Sequence, residues 1–79
     1  MKLTTEHVRA ARALLRWSQG DLAERSGVSV PTIRRLEMAP GPLAGRADTV
    51  WKLQEALERA GISFEDEEDF VGVRLVRLR

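Results

Sequence analysis

Covalent chemistry has little to work with in this chain. Its 79 residues include a single histidine, His7, and no cysteine. Neither a thiolate metal site nor a set of nucleophile, base and orienting group can be assembled from such a composition. No enzyme activity and no cofactor is therefore expected, and His7 is expected at the surface, not as a metal ligand. The acidic run Glu65, Asp66, Glu67, Glu68 and Asp69 lacks the glycine and the alternation of a calcium loop, so it reads as a solvated turn. What remains is the adjacent pair Arg34 and Arg35. A guanidinium presents a planar fork of N–H donors that matches paired acceptors, yet two neighbouring arginines serve equally well as a solvated helix face. The elements that carry them decide between the two.

Those elements are legible from caps and periodicity. Thr4 reads as the N-cap of a first helix running to about Arg16, with Glu6 favoured at the positive end of its dipole. Val8, Ala11 and Leu15 share a stripe flanked by Leu14, and Arg12 lies about 40° from Val8 at the edge of it, so Arg12 should be partly buried. Ser18 followed by Asp21 is a capping box that opens a short second helix presenting Leu22, Ala23 and Ser26 inward. Gly27 ends that helix, Val28 follows as an apolar plug, and Ser29 caps the next. Pro31 is tolerated in the first turn of this third helix, where Ile33 and Leu36 point inward, and the helix stops near Ala39, ahead of Pro40.

The segment from Pro40 to Ala47 is rich in proline and glycine and reads as a surface loop. A fourth helix is expected from Asp48 or Thr49, with Val50, Leu53, Leu57 and Ala60 as its core stripe and Gly61 closing it. Trp51 sits roughly 140° from the centre of that stripe. Beyond Gly61 the pattern changes. Ile62 to Phe64 alternate, the acidic run makes a turn, and Val71 to Leu78 is rich in Val and Leu with interleaved Arg, which predicts a β-hairpin. The expected fold is mainly α: a four-helix domain over residues 1–61 with a hairpin tail over 62–79 that belongs to the same domain.

One small core is all that this length allows, and without disulfides it must be held by packing. The residues from Met1 to Glu6 lack the apolar stretch of a signal peptide, and no apolar run approaches a membrane span. A cytoplasmic protein without membrane attachment is expected. Thirteen Lys and Arg against twelve Asp and Glu give a net charge of +1, a weak pointer to any polyanion. The distribution is more informative, because residues 1–61 carry a balance of +3 and residues 62–79 one of −2.

Two short helices joined by the tight Gly27, Val28 and Ser29 connection form a helix-turn-helix, whose second helix fits the roughly 12 Å wide major groove of DNA. The stretches RALLRWSQ (Arg12 to Gln19), DLAERSGVS (Asp21 to Ser29) and TIRRLE (Thr32 to Glu37) resemble the lambda-repressor-like (Xre) family, and the likeness covers residues 4–60. The tail, with Ile62 to Phe64 and Gly72 to Leu75, is similar to the strand ending of some short phage-type and mobile-element members. The resemblance implies that Gln19 contacts a DNA phosphate, aided by the N–H groups of its helix N-terminus, while Ser18 mainly caps. Ser29 caps the recognition helix. The resemblance also places Val30, Pro31 and Arg35 at base-contacting positions and Thr32 and Arg34 within reach of base edges or phosphates. Arg35 is the expected reader of a guanine, through its O6 and N7 acceptors. Arg12 and Glu37 are implied to form an ion pair tying the first helix to the third, and Trp17 is expected in the core.

At Val30 and Pro31 many relatives carry Gln, Arg or Ser, and neither residue here can donate a hydrogen bond. Two functions follow. One is a dimeric transcriptional regulator, a repressor, on double-stranded operator DNA with two-fold symmetry, its tail strands pairing across the dimer axis. In this reading Trp51 touches the tail or the partner subunit. The other is an antitoxin or protein-interaction adaptor that keeps the fold, with a toxin or similar protein as partner.

Overall fold

The computed structural model describes residues 2–77. It contains α1 (Thr5–Leu15), α2 (Gln19–Ser26), α3 (Val30–Met38), α4 (Ala47–Arg59), β1 (Ile62–Asp66) and β2 (Val71–Leu75). Four helices and a two-stranded antiparallel hairpin make the fold mainly helical, as the caps and periodicity predict. Leu78, part of the expected second strand, lies outside the described residues. No helix is long and apolar enough to cross a membrane among the residues described.

The caps act as side-chain chemistry requires. Ser18 Oγ accepts from Asp21 N–H at 3.0 Å while the Asp21 carboxylate accepts from Ser18 N–H at 2.9 Å, so two donors at the start of α2 are satisfied reciprocally. Gly27 ends α2 at φ 78°, a left-handed conformation that a side chain disfavours. Ser29 caps α3, and Ala39 leaves it in an extended conformation ahead of Pro40. The fourth helix starts at Ala47, just before the expected Asp48 or Thr49, and its N-cap Arg46 makes no side-chain cap bond. Without such a bond the sequence holds no sharp start signal there.

Leu3, Val8, Ala11, Leu22, Val28, Ile33, Leu36, Leu53, Ala56, Leu57 and Ile62 form one core. Burying a side chain as large as Leu22, Ile33, Leu53 or Leu57 is worth about 1.5–3 kcal/mol. On α4 the buried stripe is Leu53, Ala56 and Leu57, with Val50 and Ala60 only half-buried. Periodicity placed the stripe a fraction of a turn away because it could not know that α4 packs mainly on α2. Leu15, Ala23 and Ser26 are likewise half-buried at the margin, and Leu14 is exposed.

The hairpin is part of this core. Ile62 is buried, and Phe64, Val73 and Leu75 pack against the helices. Pairing runs from Ile62 opposite Leu75 to Asp66 opposite Val71, and Val76 N–H donates to Gly61 O and Glu67 N–H to Phe70 O at either end. These end pairs fix the phase of the ladder. The N–H and C=O groups of Ser63, Glu65, Gly72 and Arg74 point between the strands, and those of Val71, Val73 and Leu75 point away from β1. Gly61 is required by this closure, since at φ 108° a Cβ would meet Val76 O at 2.9 Å.

His7 is a correction to the expected surface position, being only 1% exposed. It completes the capping box of Thr4, a role the sequence offered to no obvious N3 partner. Thr4 Oγ1 accepts from His7 N–H, and Thr4 N–H donates to His7 Nδ1 at 3.1 Å. Nδ1 is thus an acceptor, which leaves the ring proton on Nε2 to donate to Glu65 O at 3.2 Å. Phe64 packs edge-on against the ring with centroids 5.5 Å apart. The reason for the burial is tertiary: the hairpin, distant in sequence, closes over the N-terminal half of α1.

Thr5 makes a second long-range tie. Its Oγ1 lies 3.0 Å from Leu36 O and 2.6 Å from Ala39 O, binding carbonyls that α3 leaves unpaired at its C-terminus. The loop after α3 is held as well, by Thr5 N–H on Gly41 O, Leu43 N–H on Leu3 O, and the Glu6 carboxylate accepting from Gly41 N–H.

Candidate nucleic-acid interface

Helices α2 and α3 meet through the left-handed Gly27 and the buried Val28, which plugs the angle between them. Ile33 and Leu36 are the buried residues of α3. At about 100° per residue the opposite face is therefore Pro31, Arg34, Arg35 and Met38. Pro31, Arg34 and Arg35 are exposed, and Met38 is 79% exposed. Among the described residues neither Arg34 nor Arg35 has an ion-pair or hydrogen-bond partner, so their donors are available to an external acceptor. Met38 was not singled out from sequence, although its spacing three residues beyond Arg35 and seven beyond Pro31 was signal enough to place it on this face.

The remaining positions divide into two groups. Ser18 and Ser29 are exposed, and both are occupied as caps. Val30 is half-buried at the start of α3. Thr32 is also half-buried, and its Oγ1 accepts from Ser29 Oγ at 2.9 Å, which ties it to the cap. Gln19 is half-buried and turned toward the protein. Its Nε2 donates to Glu37 Oε1 at 3.1 Å.

That carboxylate is the hub of the site. Arg12 grips it with a bidentate fork, Nε to Oε2 at 2.8 Å and Nη2 to Oε1 at 2.7 Å, and sends Nη1 to Trp17 O at 3.0 Å. Arg12 is 19% exposed and Glu37 6%, so the ion pair that the resemblance implied is present and shielded. Burial pushes the Glu37 carboxyl upward, but hydrogen bonds from Arg12 and Gln19 and the charges of Arg12 and Arg9 outweigh it, leaving the group below the ordinary carboxylate range. One guanidinium and one carboxylate thus neutralise each other where α1, α2 and α3 converge, and Arg34 and Arg35 remain as unneutralised charge on the outer face.

Trp17 packs half-buried against the core, and its outer face is covered by the Arg25 guanidinium 4.6 Å from the ring centroid. Trp51 departs from the expected contact with the tail. It is 62% exposed, because β1 meets α4 on the other side of that helix, beside the buried Leu53, Ala56 and Leu57 stripe. The acidic turn residues from Asp66 to Asp69 are exposed, whereas Glu65 is half-buried in β1 and lies 3.7 Å from Arg74.

A bundle of short helices in which a glycine-hinged pair offers an outward, unpaired arginine face is a helix-turn-helix domain of the DNA-binding class. The family model described as helix-turn-helix matches residues 8–61, more than half of the chain. The chain belongs to that family, the lambda-repressor-like (Xre) helix-turn-helix proteins, whose members are DNA-binding regulators. A search of curated proteins found no significant match.

Proposed function

We propose that this protein is a transcriptional repressor that binds operator DNA as a dimer, with α3 of each subunit in the major groove. The observation that carries the proposal is the outer face of α3. Arg34 and Arg35 stand there exposed and unpaired, while the neighbouring Arg12 is consumed by Glu37. In this reading Arg35 reads a base, Arg34 a base edge or phosphate, and Val30 and Pro31 make apolar contacts such as those with a thymine methyl. Gln19 positions the DNA backbone together with the free N–H groups at the start of α2. The test is a salt-titrated binding assay on the DNA upstream of its own gene. Arg35→Ala is expected to cost about 1–3 kcal/mol and to relax preference at one base pair per half-site, and Gln19→Ala to weaken all sequences alike. Equal effects of the two changes across operator variants would remove the assignment.

The dimer is proposed to form through the hairpin. Support comes from the outward backbone groups of Val71, Val73 and Leu75, to which no hydrogen bond reaches among the described residues, and from Val71, 59% exposed, and the exposed Phe70 and Val76 beside them. Such an edge can pair with a second copy, and a dimer that fills successive major grooves must hold its two recognition helices about 34 Å apart, one turn of DNA. Val71→Lys puts a charge on that edge at a position whose exposure makes it harmless to folding. It should yield a monomer by sedimentation that keeps its helical spectrum, an unfolding midpoint that no longer rises with protein concentration, and half-site binding only. A wild-type chain that is monomeric well above its DNA dissociation constant overturns the dimer. A second reading, an antitoxin or adaptor with a protein partner, is favoured by Val30 and Pro31, which offer no donor, and by the uncovered Trp51. Co-purification with a stoichiometric protein in place of DNA binding identifies that case.

A further inference from the structure

We infer that Glu37 is a positioning residue for DNA binding: it fixes the Gln19 amide so that this side chain meets the phosphate backbone with a donor. The inference rests on the DNA-binding reading above and adds a role to a residue otherwise explained as half of an ion pair.

The chemistry is forced by the acceptor. An ionised carboxylate has no proton to give, so the group of Gln19 that faces Glu37 Oε1 at 3.1 Å is the NH2 and not the carbonyl. A free glutamine on a helix surface presents either end of its amide with similar ease. Phosphate oxygens accept only, and an amide carbonyl turned toward them is repelled. Holding one N–H at Glu37 leaves the second N–H on the same nitrogen as the donor of that side chain, and also spares the rotamer entropy of ordering Gln19 on binding. Glu37 can do this beside a polyanion because its charge is matched by the bidentate Arg12 and held ionised, with Arg9 nearby. Arg12 therefore serves twice, tying α1 to α3 and cancelling a negative charge that would repel the phosphates.

A structural role alone predicts something different. If Glu37 only holds the helices together, its loss weakens DNA binding to the same degree whether or not Gln19 is present. If it acts through Gln19, the two losses overlap.

The experiment is a double-substitution cycle on the full chain, with affinity measured on a duplex of arbitrary sequence, since phosphate contacts are independent of sequence. Each variant is held below its own unfolding midpoint. Gln19→Ala is expected to reduce affinity about tenfold, typical of a lost hydrogen bond to a charged group. In a Glu37→Gln background, whose amide no longer dictates which end of Gln19 faces it, the same change should matter less than about twofold. Additive losses overturn the inference. Gln19→Asn provides a second route that leaves the Arg12–Glu37 pair untouched. It keeps the donors and loses the reach to Glu37, so wild-type affinity in that variant also overturns the positioning role. A wild-type chain with no salt-dependent affinity for any duplex refutes the DNA-binding reading itself, a result distinct from either of these.

Discussion

Glu37→Ala is expected to lower the stability of the domain by about 3 kcal/mol, because it strands the Arg12 guanidinium in a site with little water. For a domain of this size that corresponds to a fall in unfolding midpoint of roughly 15 °C. The loss is the cost of an unpaired charge more than the net worth of the pair, since two shielded ions offset much of their attraction by desolvation. Replacing both partners by apolar residues of similar shape should accordingly cost less than Glu37→Ala alone. A urea midpoint unchanged in Glu37→Ala would show the two residues to be ordinary surface charges.

The same pair sets an acid dependence whose sign is fixed. The Glu37 carboxyl titrates below its ordinary value of 4.5 in the folded chain, so the folded state binds its proton less readily than the unfolded state does. Its contribution is fully present at neutral pH and is lost as pH falls below the unfolded value and through the lower folded one. Comparing unfolding midpoints at neutral pH and under acid, the difference between wild type and Glu37→Gln should shrink as Glu37 is protonated.

His7→Ala should have a similarly large effect, again about 3 kcal/mol. Four losses combine: the Nδ1 acceptor of Thr4 N–H at the cap, worth about 1 kcal/mol; the Nε2 hydrogen bond to Glu65 O; the edge-on contact with Phe64, worth about 0.5–1.5 kcal/mol beyond its area; and the void left under the hairpin. His7→Phe refills much of the void and strands Thr4 N–H, so it should fall between alanine and wild type. Loss of amide-exchange protection in β1 and β2, ahead of α2 and α3, is the expected signature, because His7 joins the hairpin to α1. A stability within a few tenths of a kcal/mol of wild type in His7→Ala would mean that neither the hydrogen bonds of the buried ring nor its packing holds the hairpin to α1.

Much of the fold was legible before any coordinates, for local reasons. Ser18 with Asp21, Gly27, Ser29 with Pro31, and Ala39 before Pro40 each constrain the backbone within a few residues of themselves, so caps and breaks fell where the side chains demanded. The partial burial of Arg12 followed from its angle on α1, and the outward placement of Arg34 and Arg35 from the inward pull of Ile33 and Leu36. The motif from Arg12 to Glu37 was specific enough to indicate the family.

What the sequence by itself left open depended on elements far apart in the chain. His7 looks like any surface histidine until residues 62–66 close over it, and Thr5 like any first-turn threonine until the carbonyls of Leu36 and Ala39 arrive at its hydroxyl. The stripe of α4 shifted toward Ala56 because its partner, α2, approaches from a direction periodicity does not encode. Trp51, set off the core stripe on the helical wheel, is 62% exposed in the single chain, so the hairpin does not cover it. The amide of Gln19 could be assigned a direction only once Glu37, eighteen residues away, was seen to face it. Local propensity determines where helices begin and end and which face is apolar; which polar group ends up buried, and against what acceptor, is decided only when those faces meet.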